Sequence, residues 1–238
     1  MQERALQTQI AWACRILAMG GHTDLTLGHV SARGSEDQVY IKRKGLGLNE
    51  VTPDDILTID LDRNKLAGDG KVHLEAVLHT EVYRLRPDVG AVAHTHPPYT
   101  TALSATSVKL EFVNHDAVLF RDGVGIFNKT ADLILDAENG QAVARALGSR
   151  RAVLMCNHGM LVADKTVPWV VYAALTLERA ARIQAIATSF GALQPIPQET
   201  VNRMYANKYR DEFIEEYWQY LLRETRRRGF AAGMPDGG

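Results

Sequence analysis

The chain has 238 residues, a formal net charge of −1, 46% hydrophobic residues and 23% charged residues. Its length suits one substantial domain, and its balanced charge favours neither a nucleic-acid surface nor an acidic tail. Two cysteines cannot build a disulfide framework, and no apolar run has the length of a secretory signal or a membrane helix. The composition predicts a cytoplasmic protein that binds neither nucleic acid nor membrane.

Hydrophobic spacing in the first half of the chain predicts two helices and four strands. A helix is expected over residues 3–19, where apolar residues recur at helical intervals before Gly20-Gly21. A second helix is expected over residues 74–85, with one apolar stripe. The strands are expected over residues 26–33, 38–42, 56–60 and 89–96, with a turn or short capped helix over 52–55.

The second half of the chain also mixes helices with strands. Helices are expected over residues 131–147, 168–190 and 198–228, and strands over 108–113, 117–120, 151–156 and 160–163. Asn157-His158-Gly159 has the composition of a tight turn, and residues 229–238 are expected to form a mobile tail. The interleaving predicts a single domain over residues 1–238, an α/β sandwich with a mixed or antiparallel sheet.

Two histidines end the apolar strand that follows the second helix. His94 and His96 follow the uncharged run 89–93, and Pro97-Pro98 come next. Strand side chains alternate, so the i, i+2 spacing places both imidazoles on one face, and the prolines end the hydrogen-bond ladder. The ends of strands are common positions for sites in α/β sheets. A histidine pair alone, however, is more often structural than metal-binding.

Two further residues turn this pair into a candidate site. His158, in the predicted turn, is either a turn residue or a third imidazole that completes an open three-histidine metal site. Glu75, at the start of the second helix, is either a carboxylate favoured by the helix dipole or a proton carrier. His79 lies one helical turn beyond Glu75, and it faces either the same cleft or solvent.

Four motifs, in this order and at these separations, make the chain resemble the class II aldolase/adducin family over nearly its whole length. They are Gly28-His29-Val30-Ser31, His73-Leu74-Glu75, residues 86–97 and Asn157-His158-Gly159. The resemblance implies a three-layer α/β/α sandwich around a central mixed, largely antiparallel sheet. It also implies that His94, His96 and His158 bind a divalent metal, and that Glu75 shuttles a proton.

The same resemblance implies how the protein assembles and which ion it binds. Family members are typically fourfold-symmetric homotetramers with active sites at subunit interfaces, completed by a residue from a neighbour's C-terminal segment. One divalent transition metal per subunit is expected, Zn²⁺ or Mn²⁺, with Co²⁺ or Fe²⁺ as alternatives. Adducin-like relatives lack the metal histidines, so the three histidines of this chain favour an enzyme.

Three departures of this chain from the family pattern indicate which class of substrate it binds. Sugar-phosphate aldolases of the family bind phosphate with Gly-Asn, Thr-Gly and Ser-Ser, where this chain has Gly28-His29, Lys44-Gly45 and His73-Leu74. Larger or cationic groups replace hydroxyl donors, which favours a small carboxylate substrate. The candidate substrate-binding residues are Lys44, Arg43, His29, Gly28 and His73.

Residues 120–127, 131–134 and 139–140 resemble the decarboxylase branch of the family. The expected function is therefore decarboxylation of a small hydroxylated aromatic or heteroaromatic carboxylate by a metal-dependent carbon–carbon lyase. One alternative is a class II aldolase that acts on a sugar phosphate or a hydroxy-keto acid. The other alternative is a non-enzymatic, adducin-like binding module.

Overall fold

The computed structural model describes residues 2–35 and 37–235, which form eight strands and seven α-helices. The strands are β1 (His29–Arg33), β2 (Val39–Lys42), β3 (Ile56–Ile59), β4 (Lys65–Ala67), β5 (Ala91–Thr95), β6 (Gly125–Phe127), β7 (Ala152–Met155) and β8 (Gly159–Asp164). The helices are α1 (Gln2–Met19), α2 (Ala76–Leu85), α3 (Pro98–Ser104), α4 (Ala137–Leu147), α5 (Val167–Phe190), α6 (Gln198–Lys208) and α7 (Asp211–Arg227). None of these helices is long and apolar enough to cross a membrane.

All eight strands join in one sheet, in the order β4-β3-β2-β1-β5-β8-β7-β6. Every pairing is antiparallel except that of β6 with β7, which is parallel. The central strand β5 lies between β1 and β8, and its residue His94 pairs with His29 on one side and Leu161 on the other. The predicted mixed, largely antiparallel sheet is therefore confirmed.

Helices cover both faces of this sheet. Strand side chains alternate, so Ala93 packs into the core formed with α1, α5 and α7, whereas Val92 packs into the core formed with α2 and α4. Each face is thus buried under its own apolar layer, which confirms the predicted three-layer α/β/α architecture. His94 has the same strand parity as Val92, and its side chain therefore lies on the α2 side of the sheet.

Two predicted strands are wrong. Residues 108–113 form no strand, because the side chain of Gln184 on α5 binds their backbone: it accepts from the Glu111 N–H and donates to the Lys109 carbonyl. Residues 117–120 form a buried 3-10 turn, whose first N–H donates to Asn114 Oδ1. For residues 108–113, a side chain of α5 thus supplies hydrogen bonds that a neighbouring strand would have supplied.

The structure also differs from the sequence-based prediction in three short elements and in the start of one helix. The elements α3, β4 and β6, which are seven, three and three residues long, are not predicted from the sequence. The helix expected from residue 131 begins at Ala137, because Asp136 caps it by accepting from the Asn139 N–H. Residues 131–136 are irregular, and they carry the Ile134 amide to the candidate site.

The predicted helix over 198–228 is two helices, α6 and α7, and the single-helix prediction is wrong. The break at Tyr209 is set by tertiary contacts, because the Tyr209 hydroxyl donates to the His115 carbonyl. Just after the break, Asp211 accepts from the indole N–H of Trp169. In the predicted mobile tail, the Ala232 carbonyl accepts from Arg15 at 2.8 Å, and residues 236–238 lie outside the described residues.

Candidate metal centre

Three histidines meet at the carboxyl end of β5. His94 lies on β5, His96 follows it directly, and His158 lies in the loop between β7 and β8. Asn157 has a φ of 57°, the left-handed conformation that closes this loop. One ring nitrogen from each histidine lies within 4.8 Å of the other two, and Nε2 of His94 is 3.0 Å from Nε2 of His96. Three imidazoles this close form a donor set that suits one transition-metal ion.

Neighbouring groups orient two of the imidazoles. Nδ1 of His94 donates to the Met160 carbonyl at 2.9 Å, which leaves the Nε2 lone pair free. Nδ1 of His96 lies 3.2 Å from Oδ2 of Asp24. Carbonyl and carboxylate partners of this kind fix the orientation of metal-binding histidines. The buried Nδ1 of His158 has no hydrogen-bond partner in the part of the chain that the structure describes.

Burial keeps the imidazoles of His94 and His96 neutral. Desolvation lowers the pKa of His94 well below 6.5, and the neighbouring histidines His96 and His158 lower it further. The pKa of His96 is also lowered, first by burial and then by His158. A neutral imidazole offers a lone pair rather than a proton, so the residues present fit a divalent metal ion.

Glu75 places a buried carboxylate beside the histidines. It is the residue just before α2 and is 3% exposed. Oε1 accepts from the Ile134 N–H at 2.9 Å and lies 3.6 Å from Nε2 of His158, while Oε2 lies 3.8 Å from Nε2 of His94. Burial raises the pKa of Glu75, but hydrogen bonds from His158 and Ile134 outweigh it and lower the pKa below 4.5. The resting group is therefore an ionised carboxylate.

Three predicted substrate-binding residues lie next to this centre. The ring of His29 is 4.0 Å from that of His73 and 5.2 Å from that of His94, measured between centroids. Burial, followed by the positive charges of Lys42 and then Lys44, lowers the pKa of His73 to about 4. Gly28 has a φ of 78°, which favours glycine at this position.

The predicted cations have different surroundings. Arg43 donates from Nε to Asp55 Oδ1 at 2.8 Å, so its guanidinium is engaged away from the histidines. The exposed Lys44 hydrogen-bonds through its backbone N–H to the Lys71 carbonyl. Its positive charge lowers the pKa of His73, after the larger effects of burial and of Lys42. The structure thus relates Lys44 to the site and ties Arg43 to Asp55.

An open cleft of about 620 Å³ gives access to the centre. Its lining includes Glu75, His96, His158, Leu27 and Leu133. A larger groove, about 920 Å³, is bordered by α5 and α7 and contains none of the predicted site residues. Because Glu75, His96 and His158 line the smaller cleft and His94 lies buried directly behind them, that cleft is the candidate active site.

Further residues lie behind the histidines. His79, expected to face either the cleft or solvent, is fully buried and contacts both His29 and Ser31 through hydrogen bonds. Its spacing of four residues from Glu75 was the available signal. Asp24 and the Ile134 amide carry no recognisable pattern, because loops deliver both to the site.

Comparison with known proteins shows the family to which this chain belongs. Residues 8–185 match the family model described as the class II aldolase and adducin N-terminal domain. This chain belongs to the class II aldolase and adducin family. It is also 32% identical over 202 residues to a 3,4-dihydroxyphthalate decarboxylase from Arthrobacter keyseri, which covers 79% of this chain and 81% of the relative.

A further relative is a Streptomyces roseochromogenus protein described as a 4-hydroxy-3-prenylphenylpyruvate oxygenase/4-hydroxy-3-prenylbenzoate synthase. It is 32% identical over 151 residues, or 63% of this chain, and the match spans only 54% of the relative's length. Among solved structures, an aldolase II superfamily protein from Pseudomonas syringae superposes with a TM-score of 0.87 at 26% identity. That match covers 96% of this chain and 95% of the other. The predicted family and fold are confirmed, and the decarboxylase relative supports the predicted lyase class.

Proposed function

We propose that this chain is a divalent-metal-dependent carbon–carbon lyase that decarboxylates a small hydroxylated aromatic or heteroaromatic carboxylate. The observation that carries the proposal is the set of three converging imidazoles with an ionised Glu75 beside them. The 3,4-dihydroxyphthalate decarboxylase relative supports this substrate class, since its named substrate carries both hydroxyl and carboxyl groups on an aromatic ring.

His94, His96 and His158 would hold the metal, Zn²⁺ or Mn²⁺ with Co²⁺ or Fe²⁺ as alternatives. When bound, such an ion supplies Lewis-acid stabilisation for the electron pair that remains when the carbon–carbon bond breaks. The open cleft leaves room for substrate oxygens beside His96 and His158.

Glu75 would carry the proton. Its resting carboxylate accepts the proton of a substrate hydroxyl, and it later donates that proton to the ring carbon from which CO₂ has left. The electron pair of the broken bond stays on the ring carbon and takes the proton, so Glu75 is ionised again and the product leaves as its phenolate. The hydrogen bond from the Ile134 amide, at 2.9 Å, holds the Glu75 carboxylate in place.

The oxygen atoms of the substrate would be bound by His29, His73, Gly28 and Lys44. His29 and His73 supply imidazole donors, Gly28 supplies close backbone approach, and Lys44 supplies a positive charge. Arg43 acts less directly in this proposal, because its ion pair with Asp55 is 2.8 Å long and holds the Lys44 loop.

We also propose that the active unit is a homotetramer in the cytoplasm, with each site at a subunit interface. Leu25 and Leu133, near the cleft, are 88% and 54% exposed, which a covering neighbour would bury. Cys14 and Cys156 are both free, in keeping with a reducing compartment.

Product analysis tests the proposed reaction. Metal-loaded protein is incubated with 3,4-dihydroxyphthalate, other hydroxylated aromatic acids and a panel of sugar phosphates, and the release of CO₂ and of aldehydes is measured. The proposal expects CO₂ from a hydroxylated aromatic acid and none from the same acid with Glu75→Gln. Aldehyde release from a sugar phosphate would instead identify an aldolase. Absence of bound metal would indicate an adducin-like binding module.

A further inference from the structure

A chain of buried hydrogen bonds runs from the metal centre to the middle of α2. Nδ1 of His29 is 2.6 Å from Nε2 of His79, Nδ1 of His79 is 2.6 Å from Oγ of Ser31, and that Oγ is 2.7 Å from the Tyr83 hydroxyl. All four side chains are at most 2% exposed. The mechanism proposed above uses only the first of them.

Local geometry explains why these four side chains meet. His29 and Ser31 are two residues apart on β1, so they point to the same face of the sheet. His79 and Tyr83 are four residues apart on α2, so they lie one above the other on one helix face. Packing α2 against β1 therefore brings the two pairs together as one row.

The proton of Tyr83 fixes the direction of this row. Among the described residues, the only acceptor at the Tyr83 hydroxyl is Ser31 Oγ, so Tyr83 donates to Ser31. Ser31 must then donate to Nδ1 of His79, and Nε2–H of His79 donates to Nδ1 of His29. In the reverse direction, the buried Tyr83 proton would have no acceptor, which is unfavourable.

This direction leaves the proton of His29 on Nε2. That nitrogen is buried and has no hydrogen-bond partner within residues 2–35 and 37–235. A ring nitrogen of His29, a carboxylate oxygen of Glu75 and a ring nitrogen of His94 lie within 4.8 Å of one another, so one oxygen atom can contact His29 and Glu75 together beside the metal ligand His94. An oxygen that accepts from His29 and donates to the Glu75 carboxylate is a hydroxyl oxygen.

We propose that Tyr83, Ser31 and His79 are positioning residues that fix His29 as a neutral Nε2–H donor. We further propose that this donor and Glu75 together bind one hydroxyl group of the substrate. The second part rests on the proposed lyase function. As the hydroxyl proton passes to Glu75, the oxygen becomes an anion, and the fixed N–H of His29 stabilises that anion.

Histidine tautomers test the first part without any substrate. The full chain, labelled with ¹⁵N-histidine and loaded with diamagnetic Zn²⁺, is studied by NMR, with His29→Gln and His79→Gln used to assign the two rings. Both rings are expected as Nε2–H tautomers. Tyr83→Phe should mix or reverse these tautomers, while Tyr40→Phe, a buried tyrosine in the core on the other face, should not. An Nδ1–H tautomer at His29, or tautomers that ignore Tyr83→Phe, would overturn the positioning role.

Probe binding tests the second part. The probe pair is 3,4-dihydroxybenzoate and benzoate, which differ only in hydroxyl groups, and their affinities for the Zn²⁺-loaded protein are measured by calorimetry. Tyr83→Phe and His79→Leu should weaken binding of the dihydroxy probe about five- to tenfold and leave benzoate within about twofold. His79→Gln should restore much of the loss, because its amide can accept from Ser31 and donate to His29.

The probe-binding results and the CO₂-release assay can fail independently, so failure of the inference can be distinguished from failure of the proposed function. Equal losses for both probes, or wild-type protein that binds the dihydroxy probe no better than benzoate, would refute hydroxyl binding. If metal-loaded wild-type protein released no CO₂ from any acid tested, the decarboxylase proposal would be refuted, but the tautomer result would be unaffected. Thermal unfolding of each variant separates these effects from loss of fold.

Discussion

Replacement of Glu75 by glutamine isolates the carboxylate's chemistry from its structural role. The glutamine side-chain oxygen can still accept from the Ile134 N–H, which the native carboxylate accepts at 2.9 Å. The substitution therefore keeps the shape and the buried hydrogen bond and removes the ability to carry a proton. Since a positioned proton-transfer group contributes about 10²–10⁴-fold, we expect kcat to fall by that range.

Glu81→Gln is the matched control for this experiment. Glu81 lies on the same helix α2, is 3% exposed, and its carboxylate is 3.5 Å from Arg84 rather than near the histidines. We expect Glu81→Gln to retain turnover within a few-fold. The assay is CO₂ release by metal-loaded protein, with metal content measured for each variant. Near-normal turnover of Glu75→Gln with metal still bound would refute the proton-carrier role.

Three further predictions follow from neighbouring contacts. Asp24→Asn should weaken metal affinity about 10-fold by removing the charge that orients His96, measured by competition with a chelator; unchanged affinity would contradict this role. Hydrogen bonds from Arg43 and Thr52 outweigh burial and lower the pKa of Asp55 below its ordinary value of 3.8. The ionised Asp55 therefore stabilises the folded protein above pH 3.8, and this stabilisation is lost as pH falls through the lowered pKa. Urea unfolding should therefore show Asp55→Asn destabilised by about 1 kcal/mol at pH 7 and by less near pH 3. Burial raises the pKa of Cys14 to about 12, so native protein should protect this thiol from iodoacetamide until it unfolds; fast labelling would contradict its burial.

The sequence predicted the architecture where the hydrophobic period was long and regular. The helix over 168–190 starts at Val167 and ends at Phe190 in the structure, and the strand pair around Asn157 is also present. Short elements such as β6 carry too few residues for a period to be read. The segment 108–113 has the composition of a strand, yet Gln184 supplies its hydrogen bonds, and no local pattern reveals a partner 73 residues away.

The residues of the candidate site also fall into those that a regular period predicts and those that it does not. His94 and His96 share a strand end, so their convergence follows from the strand period, and the structure places His158 beside them. Asp24 and Ile134 reach the site on irregular loops, which have no period to read. His79 stood at helical spacing from Glu75, but its burial and its bond to His29 depend on how α2 packs against β1.

The metal content of purified protein tests the central claim most directly. Elemental analysis of the native chain should find close to one divalent transition metal ion per chain. His94→Gln and His158→Gln should each lose that ion, whereas His115→Gln, outside the cluster, should retain it. Native protein without a stoichiometric metal, or His94→Gln and His158→Gln variants that still bind it, would contradict the account.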